Sequence, residues 1–210
     1  HVDCCVGGMY LPFAKELGFD IPDFDFSVPG VTQISMDFHK WGYAAKGASC
    51  ILYRDRDFRR HQIFSYASWT GYAIINPGVT SSKSGGPIAA CWAILNHIGR
   101  DGYLRIVKAT QEASQKIVAA VNEIEGLEIM GAGKINMLAV RATDFDIFPL
   151  ADAMKDRGWY IQPQFCYANS AENLHLSIGH HNVEKVDEFL QDLREVAVAV
   201  RKQQLGVAKF

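Results

Sequence analysis

The chain has 210 residues, of which 49% are hydrophobic and 21% are charged, a composition typical of a globular protein with a sizeable core and not of a disordered one. Its formal net charge is -2 and its basic residues are scattered, which argues against a nucleic-acid partner. No apolar run reaches the roughly 18 residues that a membrane-spanning helix needs.

The first quarter of the chain predicts short elements separated by glycine and proline. Hydrophobic periodicity predicts the end of a buried strand at 1–6, a short helix or loop at 9–18, and strands at 31–37 and 48–54. Between them, residues 19–30 read as a surface connection. The loop between the last two strands carries His39, Lys40 and Lys46.

The middle of the chain predicts charged and glycine-rich connections followed by helices. Residues 55–61 are typical of a solvated charged segment, and residues 70–86 lack helical periodicity and predict a long functional loop. A buried helix is predicted at 87–98, and an amphipathic helix at 100–124. Gly99 lies between them.

The last third predicts an α+β arrangement. Strands are predicted at 127–131, 135–142, 159–164 and 173–179, and helices at 146–158 and 183–204. We therefore expect two domains, residues 1–98 and residues 99–210. Since the chain begins without a methionine in what reads as the interior of an α/β domain, we expect it to be a fragment.

The five cysteines are an odd number and show no CxxC spacing, which argues against a disulfide framework and a zinc site. His180 and His181 are adjacent, but no further ligands accompany them at useful spacing, so no metal site is predicted. A reducing compartment fits free thiols best. We expect a cytoplasmic location, with any membrane anchor upstream of this segment.

The paired lysines of the loop raise the possibility of amine chemistry. If Lys40 is buried at a strand end, desolvation and the second cation, Lys46, would both lower its pKa, and a neutral amine attacks carbonyls. Asp3 follows what reads as a buried strand, at the end where open α/β sheets bind ligands. The alternatives are solvated loop lysines and a turn or helix-capping aspartate. A pyridoxal phosphate enzyme needs both residue types, a lysine for a Schiff base and an acid facing the pyridine nitrogen.

A longer motif decides between these interpretations. Residues 25–47, DFSVPGVTQISMDFHKWGYAAKG, together with the HVD at the start of the chain and ILYRD at 51–55, resemble the group II pyridoxal-phosphate decarboxylase superfamily of fold type I. Within it they are most similar to the sphingosine-1-phosphate lyases, and the likeness covers most of the chain. The resemblance implies an α/β fold, with 1–98 as the C-terminal part of the large cofactor-binding domain and 99–210 as a small α+β domain.

The resemblance also implies roles for the residues at the strand ends. Lys40 would hold pyridoxal 5'-phosphate as a Schiff base, and His39 would lie near the cofactor phosphate. Asp3 would pair with the pyridine nitrogen, with His1 nearby. Lys46 matches a second active-site lysine that would meet a substrate phosphate or assist proton transfer.

The loop before the helix at 87–98 departs from the family pattern. Lys83 stands where the lyases have an arginine, which keeps the charge but loses the bidentate fork. Ser82 and Gly85 match, and in fold type I homodimers this loop reaches the cofactor phosphate of the neighbouring subunit. The resemblance thus implies a homodimer that needs the N-terminal portion of the same protein.

The implied reaction is retro-aldol cleavage of a long-chain base phosphate, such as sphingosine 1-phosphate, between C2 and C3 to give a fatty aldehyde and phosphoethanolamine. One alternative is a decarboxylase of aromatic or acidic amino acids. The other is a catalytically silent homologue. Lys46 favours a phosphorylated substrate, because a carboxylate that leaves as CO2 must stay unpaired.

Overall fold

The computed structural model describes residues 1–80 and 82–207, and it divides into two compact units, His1–Leu104 and Arg105–Phe210. The helices are α1 (Leu11–Glu16), α2 (Arg56–Arg60), α3 (Gly85–Glu123), α4 (Phe148–Asp156) and α5 (Val186–Val207). The strands are β1 (Val2–Asp3), β2 (Gln33–Asp37), β3 (Ser49–Tyr53), β4 (Phe64–Tyr66), β5 (Ile74–Asn76), β6 (Leu127–Ile129), β7 (Met137–Ala142), β8 (Gln162–Gln164) and β9 (Asn173–Ser177).

A three-stranded sheet in the order β1-β2-β3 organises the first unit. β1 runs parallel to β2, with Asp3 opposite Ser35, and β2 runs antiparallel to β3, with Asp37 opposite Ser49. β1 and β3 are the outer strands, and Ile51 of β3 is 38% exposed. The predicted strands of this region are confirmed, and their register places the last residues of β1 and β2 at the same end of the sheet.

The segment that leads into β2 is held by one arginine. The Arg54 guanidinium donates hydrogen bonds to the carbonyl oxygens of Val31 at 2.7 Å, Val28 at 2.7 Å and Phe26 at 3.0 Å. Its guanidinium carbon also lies 5.6 Å from the centre of the Phe26 ring. Carbonyl groups in an irregular segment have no neighbouring strand to bond to, so the Arg54 guanidinium supplies the hydrogen-bond donors that backbone N–H groups would supply in a sheet.

One prediction for the middle of the chain is confirmed and another needs correction. Residues 55–61 are exposed, as predicted for a solvated charged segment, and within them lies the short helix α2, whose amino end is capped by Asp55 accepting from the backbone N–H groups of Asp57 and Phe58. The predicted loop at 70–86 contains β5, which pairs with β4 in an antiparallel hairpin. Strands of three residues, such as β4 and β5, are too short for a period-2 pattern to stand out.

The break at Gly99 is confirmed. α3 runs from Gly85 to Glu123, but Gly99 adopts φ 62° and ψ 173°, which interrupts the helical backbone where the sequence predicts two helices. A positive φ costs a glycine little. The boundary between the compact units falls five residues later, after Leu104. The assignment of a large and a small domain stays a prediction.

The second unit packs helices on a four-stranded antiparallel sheet in the order β6-β7-β9-β8. Each strand and helix predicted in this region is present, to within a few residues at its ends. Leu174 on β9 and Leu150 and Met154 on α4 are almost completely buried. Further core residues come from α3, β7 and α5: Ile117, Val121, Leu138, Val140, Leu190 and Leu193.

No helix within the described residues combines the length and the apolar character required to cross a bilayer. The five cysteines are free thiols. Among the described residues there is no group of three or more His, Cys, Asp or Glu side chains that could hold a metal ion.

Candidate active site

Charged side chains meet where β1 and β2 end. Because the two strands are parallel, Asp3 at the end of β1 and Asp37 at the end of β2 lie at one edge of the sheet. The chain then turns sharply through 38–42, and the Tyr43 N–H donates to the Lys40 carbonyl at 3.1 Å. This turn carries the Lys40 side chain back toward the strand ends.

Asp3 is held as a carboxylate. Its Oδ1 accepts hydrogen bonds from the Cys5 backbone N–H at 2.9 Å and from the Ser35 hydroxyl at 3.1 Å. The Cys5 hydrogen bonds, then that of Ser35, and more weakly the charge of Lys40 lower the Asp3 pKa below its usual value. His1 joins the same group, since its Nε2 lies 3.3 Å from Ser35 Oγ and its Nδ1 lies 3.3 Å from Gln33 Oε1.

Lys40 lies among hydrogen-bond acceptors and not in an apolar site. Its Nζ is 3.1 Å from Asp37 Oδ2, and its side chain is 35% exposed. The Cys5 thiol and then the Asp37 carboxylate raise the Lys40 pKa, and both outweigh desolvation. The expectation that burial and Lys46 lower this pKa is wrong for this structure, because partners of opposite polarity surround the amine.

Asp37 is a site residue that the sequence reasoning missed. Its Oδ1 accepts from the Ser49 hydroxyl at 2.5 Å, while its Oδ2 faces Lys40. The Ser49 hydrogen bond, then the hydrogen bond and charge of Lys40, and then the charge of His39 lower the Asp37 pKa. The sequence contained one signal for this role, because Asp37 lies at the end of a predicted strand and three residues before Lys40.

His39 carries an unsatisfied polar atom. Its Nε2 lies 3.8 Å from Asp37 Oδ2, but its Nδ1 is buried and has no hydrogen-bond partner among the described residues. Buried polar atoms are normally paired, so an orphan beside Lys40 and Asp37 is a position where a ligand atom can bond.

Lys46, Ser82 and Gly85 are exposed, and within the described residues no hydrogen bond or ion pair joins them to the Asp3–Lys40 group. One contact does bring their segments near each other. Gly47 has φ +122°, and a Cβ at this position would lie 2.8 Å from Pro87 Cγ near the start of α3. The turn after Lys46 therefore packs against the helix start that follows Ser82 and Gly85, and the roles of these three residues stay predictions.

Comparison with known proteins identifies relatives for nearly the whole chain. The chain is 39% identical over 201 residues to the sphingosine-1-phosphate lyase of Arabidopsis thaliana and 38% identical over 195 residues to that of Dictyostelium discoideum. These alignments cover 96% and 93% of this chain and 36% of each relative. The solved sphingosine-1-phosphate lyase of Burkholderia pseudomallei superposes with a TM-score of 0.88 at 41% identity, covering 96% of this chain and 45% of that one.

The chain is homologous to the sphingosine-1-phosphate lyases. It spans a little over a third of the length of the curated lyases it matches, 36% in the Arabidopsis thaliana protein. No family model matches it. The resemblance read from residues 25–47 is thus confirmed, and so is an α/β fold of the type found in pyridoxal-phosphate lyases and decarboxylases.

This chain is also similar to decarboxylases, at lower identity than to the Arabidopsis thaliana lyase. The L-aspartate decarboxylase of Thermococcus kodakarensis is 32% identical over 197 residues, which are 94% of this chain and 50% of that protein. The glutamate decarboxylase structure from Lactobacillus brevis superposes with a TM-score of 0.76 over 96% of this chain and 47% of that one, at 19% identity, and shows a common fold alone.

Proposed function

We propose that this chain is the part of a pyridoxal 5'-phosphate-dependent lyase that supplies the cofactor lysine and its acidic partner. The proposed reaction cleaves a long-chain base phosphate, such as sphingosine 1-phosphate, between C2 and C3 to give a fatty aldehyde and phosphoethanolamine. One observation carries the proposal: Lys40 and Asp3 lie at the same end of β1 and β2, close enough for the Lys40 charge to act on the Asp3 carboxylate.

The residues at the strand ends suit the cofactor. Pyridoxal phosphate, when bound, supplies a ring that accepts the electron pair of a bond broken in the substrate. That chemistry needs an amine to bond its aldehyde and an anion to face its ring nitrogen. Lys40 provides the amine, and Asp3 provides a carboxylate kept ionised by hydrogen bonds from Cys5 and Ser35. The orphaned Nδ1 of His39 offers a further polar contact.

Asp3 would serve as a fixed negative charge. A carboxylate with a lowered pKa stays ionised at neutral pH, so it can hold a proton on a ring nitrogen by charge pairing without taking it. The Ser35 hydroxyl and the Cys5 N–H fix its Oδ1, which leaves Oδ2 as the oxygen able to face a ligand. His1, tied to Ser35, would limit the movement of the same group.

Lys46 is proposed to bind the substrate phosphate or to assist proton transfer. The support is its exposure and its freedom from ion pairs within the described residues, together with the packing of Gly47 against Pro87. A phosphate attracts an unpaired ammonium in this position. Ser82 and Gly85 are proposed to contact the cofactor phosphate of a neighbouring subunit.

We propose a homodimer and a cytoplasmic location as the setting for this activity. Large apolar side chains are exposed on the β4–β5 hairpin and at the start of α3, which suits a surface covered by further protein: Phe64, Trp69, Tyr72, Ile75, Ile88 and Trp92. The free thiols suit a reducing compartment.

A decarboxylase acting on an amino acid is the second candidate, favoured by the 32% identity to an L-aspartate decarboxylase. The lyase is preferred because its relatives are more similar and because Lys46 suits a phosphate.

The two activities separate cleanly in one assay of the full-length protein supplied with pyridoxal phosphate. We expect a long-chain aldehyde and phosphoethanolamine from sphingosine 1-phosphate, and no CO2 from aspartate, glutamate or tryptophan. Lys40→Ala should abolish aldehyde release, whereas Lys108→Ala, a change at an exposed helix lysine that is not assigned to the site, should retain it. Release of CO2 without aldehyde would establish the decarboxylase instead, and neither product would indicate a silent homologue.

A further inference from the structure

Asp37 is held in the sheet by both its backbone and its side chain. Its backbone pairs with Ser49 in the β2–β3 ladder, and the same serine donates its hydroxyl to Asp37 Oδ1. The Asp37 side chain is 19% exposed, compared with 35% for Lys40. Because Ser49 fixes Oδ1, the second oxygen, Oδ2, points in one direction, and Lys40 Nζ lies 3.1 Å away along it.

Other charged or titratable groups face this pair from three elements. The Lys40 amine donates a hydrogen bond to the Cys5 sulfur, just beyond β1, and the Lys40 charge also acts on Asp3 at the end of β1. His39 Nε2 lies 3.8 Å from Asp37 Oδ2. Cys50 on β3 lies close enough for the Asp37 charge to act on its thiol. Of these groups, only Asp37 is an anion in direct ion-pair contact with the lysine.

We propose that Asp37 is a positioning residue that holds the Lys40 amine, in its charged form, at the strand ends until an aldehyde arrives. The part of this inference that concerns cofactor attachment rests on the proposed function. The ion pair itself does not.

The chemistry explains what Asp37 controls. An ammonium and an aldehyde give a protonated C=N bond and one water, so the charge of the reactants is conserved. The nitrogen attacks only after it has released a proton; a second proton then moves from the nitrogen to the former aldehyde oxygen, and the released proton returns to that oxygen, which leaves as water. A carboxylate within 3.1 Å stabilises the charged amine and therefore decreases the fraction of neutral amine at a given pH. Asp37 thus slows the reaction of Lys40 with an aldehyde, and in return it holds the Lys40 amine in one position.

The inference is tested on cofactor-free, full-length protein with formaldehyde and sodium cyanoborohydride as the probe. Methylation is measured at individual lysines by peptide mass spectrometry as a function of pH. In Asp37→Asn, we expect the pH profile of Lys40 to move to lower pH. Near pH 8, loss of this partly exposed ion pair should make Lys40 of Asp37→Asn react roughly two- to fivefold faster than Lys40 of the parent protein. The rates should converge where the amine is neutral in both proteins.

Two internal comparisons separate this effect from a general loss of structure. Lys46, which is exposed, should react equally in both proteins. Asp25→Asn is the matched control, since the Asp25 carboxylate accepts from the Ser27 N–H at 2.8 Å and, within the part of the chain that the structure describes, no hydrogen bond or ion pair joins it to Lys40. If Asp37→Asn does not fold, Ser49→Ala removes the hydroxyl that orients Asp37 and should shift the Lys40 profile in the same direction by a smaller amount.

An unchanged Lys40 profile in Asp37→Asn, a shift to higher pH, or an equal shift in Asp25→Asn would overturn the inference. The probe contains no pyridoxal phosphate, so these results do not depend on whether the protein binds it. Failure of the proposed function would instead appear as absent aldehyde release with the Lys40 shift intact.

Discussion

Replacing Gly42 by alanine tests how tightly the turn that carries Lys40 is built. A Cβ at position 42 would lie 2.5 Å from the Phe38 carbonyl oxygen and 3.0 Å from the Phe38 Cα. Both are backbone atoms of the same turn, so no side-chain rotation relieves the overlap. The Gly42 carbonyl also accepts a hydrogen bond from the buried Tyr103 hydroxyl at 2.8 Å, which a moving turn would weaken. Overpacking of this kind costs about 1–3 kcal/mol of the free energy of unfolding.

Denaturant unfolding of the full-length protein measures this cost, and formaldehyde methylation of Lys40 reports whether the lysine has moved relative to Asp37. The matched control is Gly30→Ala, because a Cβ at Gly30 meets no atom within 4 Å and the residue does not adopt a positive φ. This control should be neutral or slightly stabilising. If Gly42→Ala unfolds at the same denaturant concentration as Gly30→Ala, the steric reasoning is refuted.

Two further predictions concern stability. Leu174→Ala, at a side chain only 1% exposed, should cost about 2–5 kcal/mol in denaturant unfolding, whereas Val198→Ala, at a side chain 62% exposed, should be nearly neutral; equal effects would contradict the assigned core. Asp37 has a pKa below the usual value of 3.8, so its stabilising contribution is present above that pH and is lost as the pH falls through the folded-state pKa. The unfolding midpoint of Asp37→Asn should therefore decline less steeply than that of the parent protein below about pH 4, and identical slopes would argue against the Ser49 and Lys40 contacts.

Local pattern was enough to predict the elements that frame the site. The strands on either side of the lysine loop were predicted from their apolar and β-branched residues, and the structure pairs them with each other. The interruption at Gly99 was visible because a glycine separates two apolar helical patterns, and only a residue tolerant of φ 62° fits there. The motif at residues 25–47 then identified the family, since a run of that length is far more specific than a His-Lys pair.

Contacts between distant residues could not be predicted in the same way. The rise in the Lys40 pKa comes first from Cys5, which precedes it by 35 positions and reaches it only through the parallel pairing of β1 with β2. Asp37 depends on Ser49 in the antiparallel partner strand. The β4–β5 hairpin was missed because its strands are three residues long and mostly exposed, which leaves no apolar alternation to detect.

The sheet that carries the site has an edge strand on each side. β1 and β3 are its outer strands within the described residues, and Ile51 and Leu52 of β3 are 38% and 42% exposed. The outer side of an edge strand presents backbone N–H and C=O groups without partners, and another strand can pair with them, especially where apolar side chains are exposed. A polypeptide of residues 1–210 expressed alone is therefore expected to self-associate through the edges of β1 and β3.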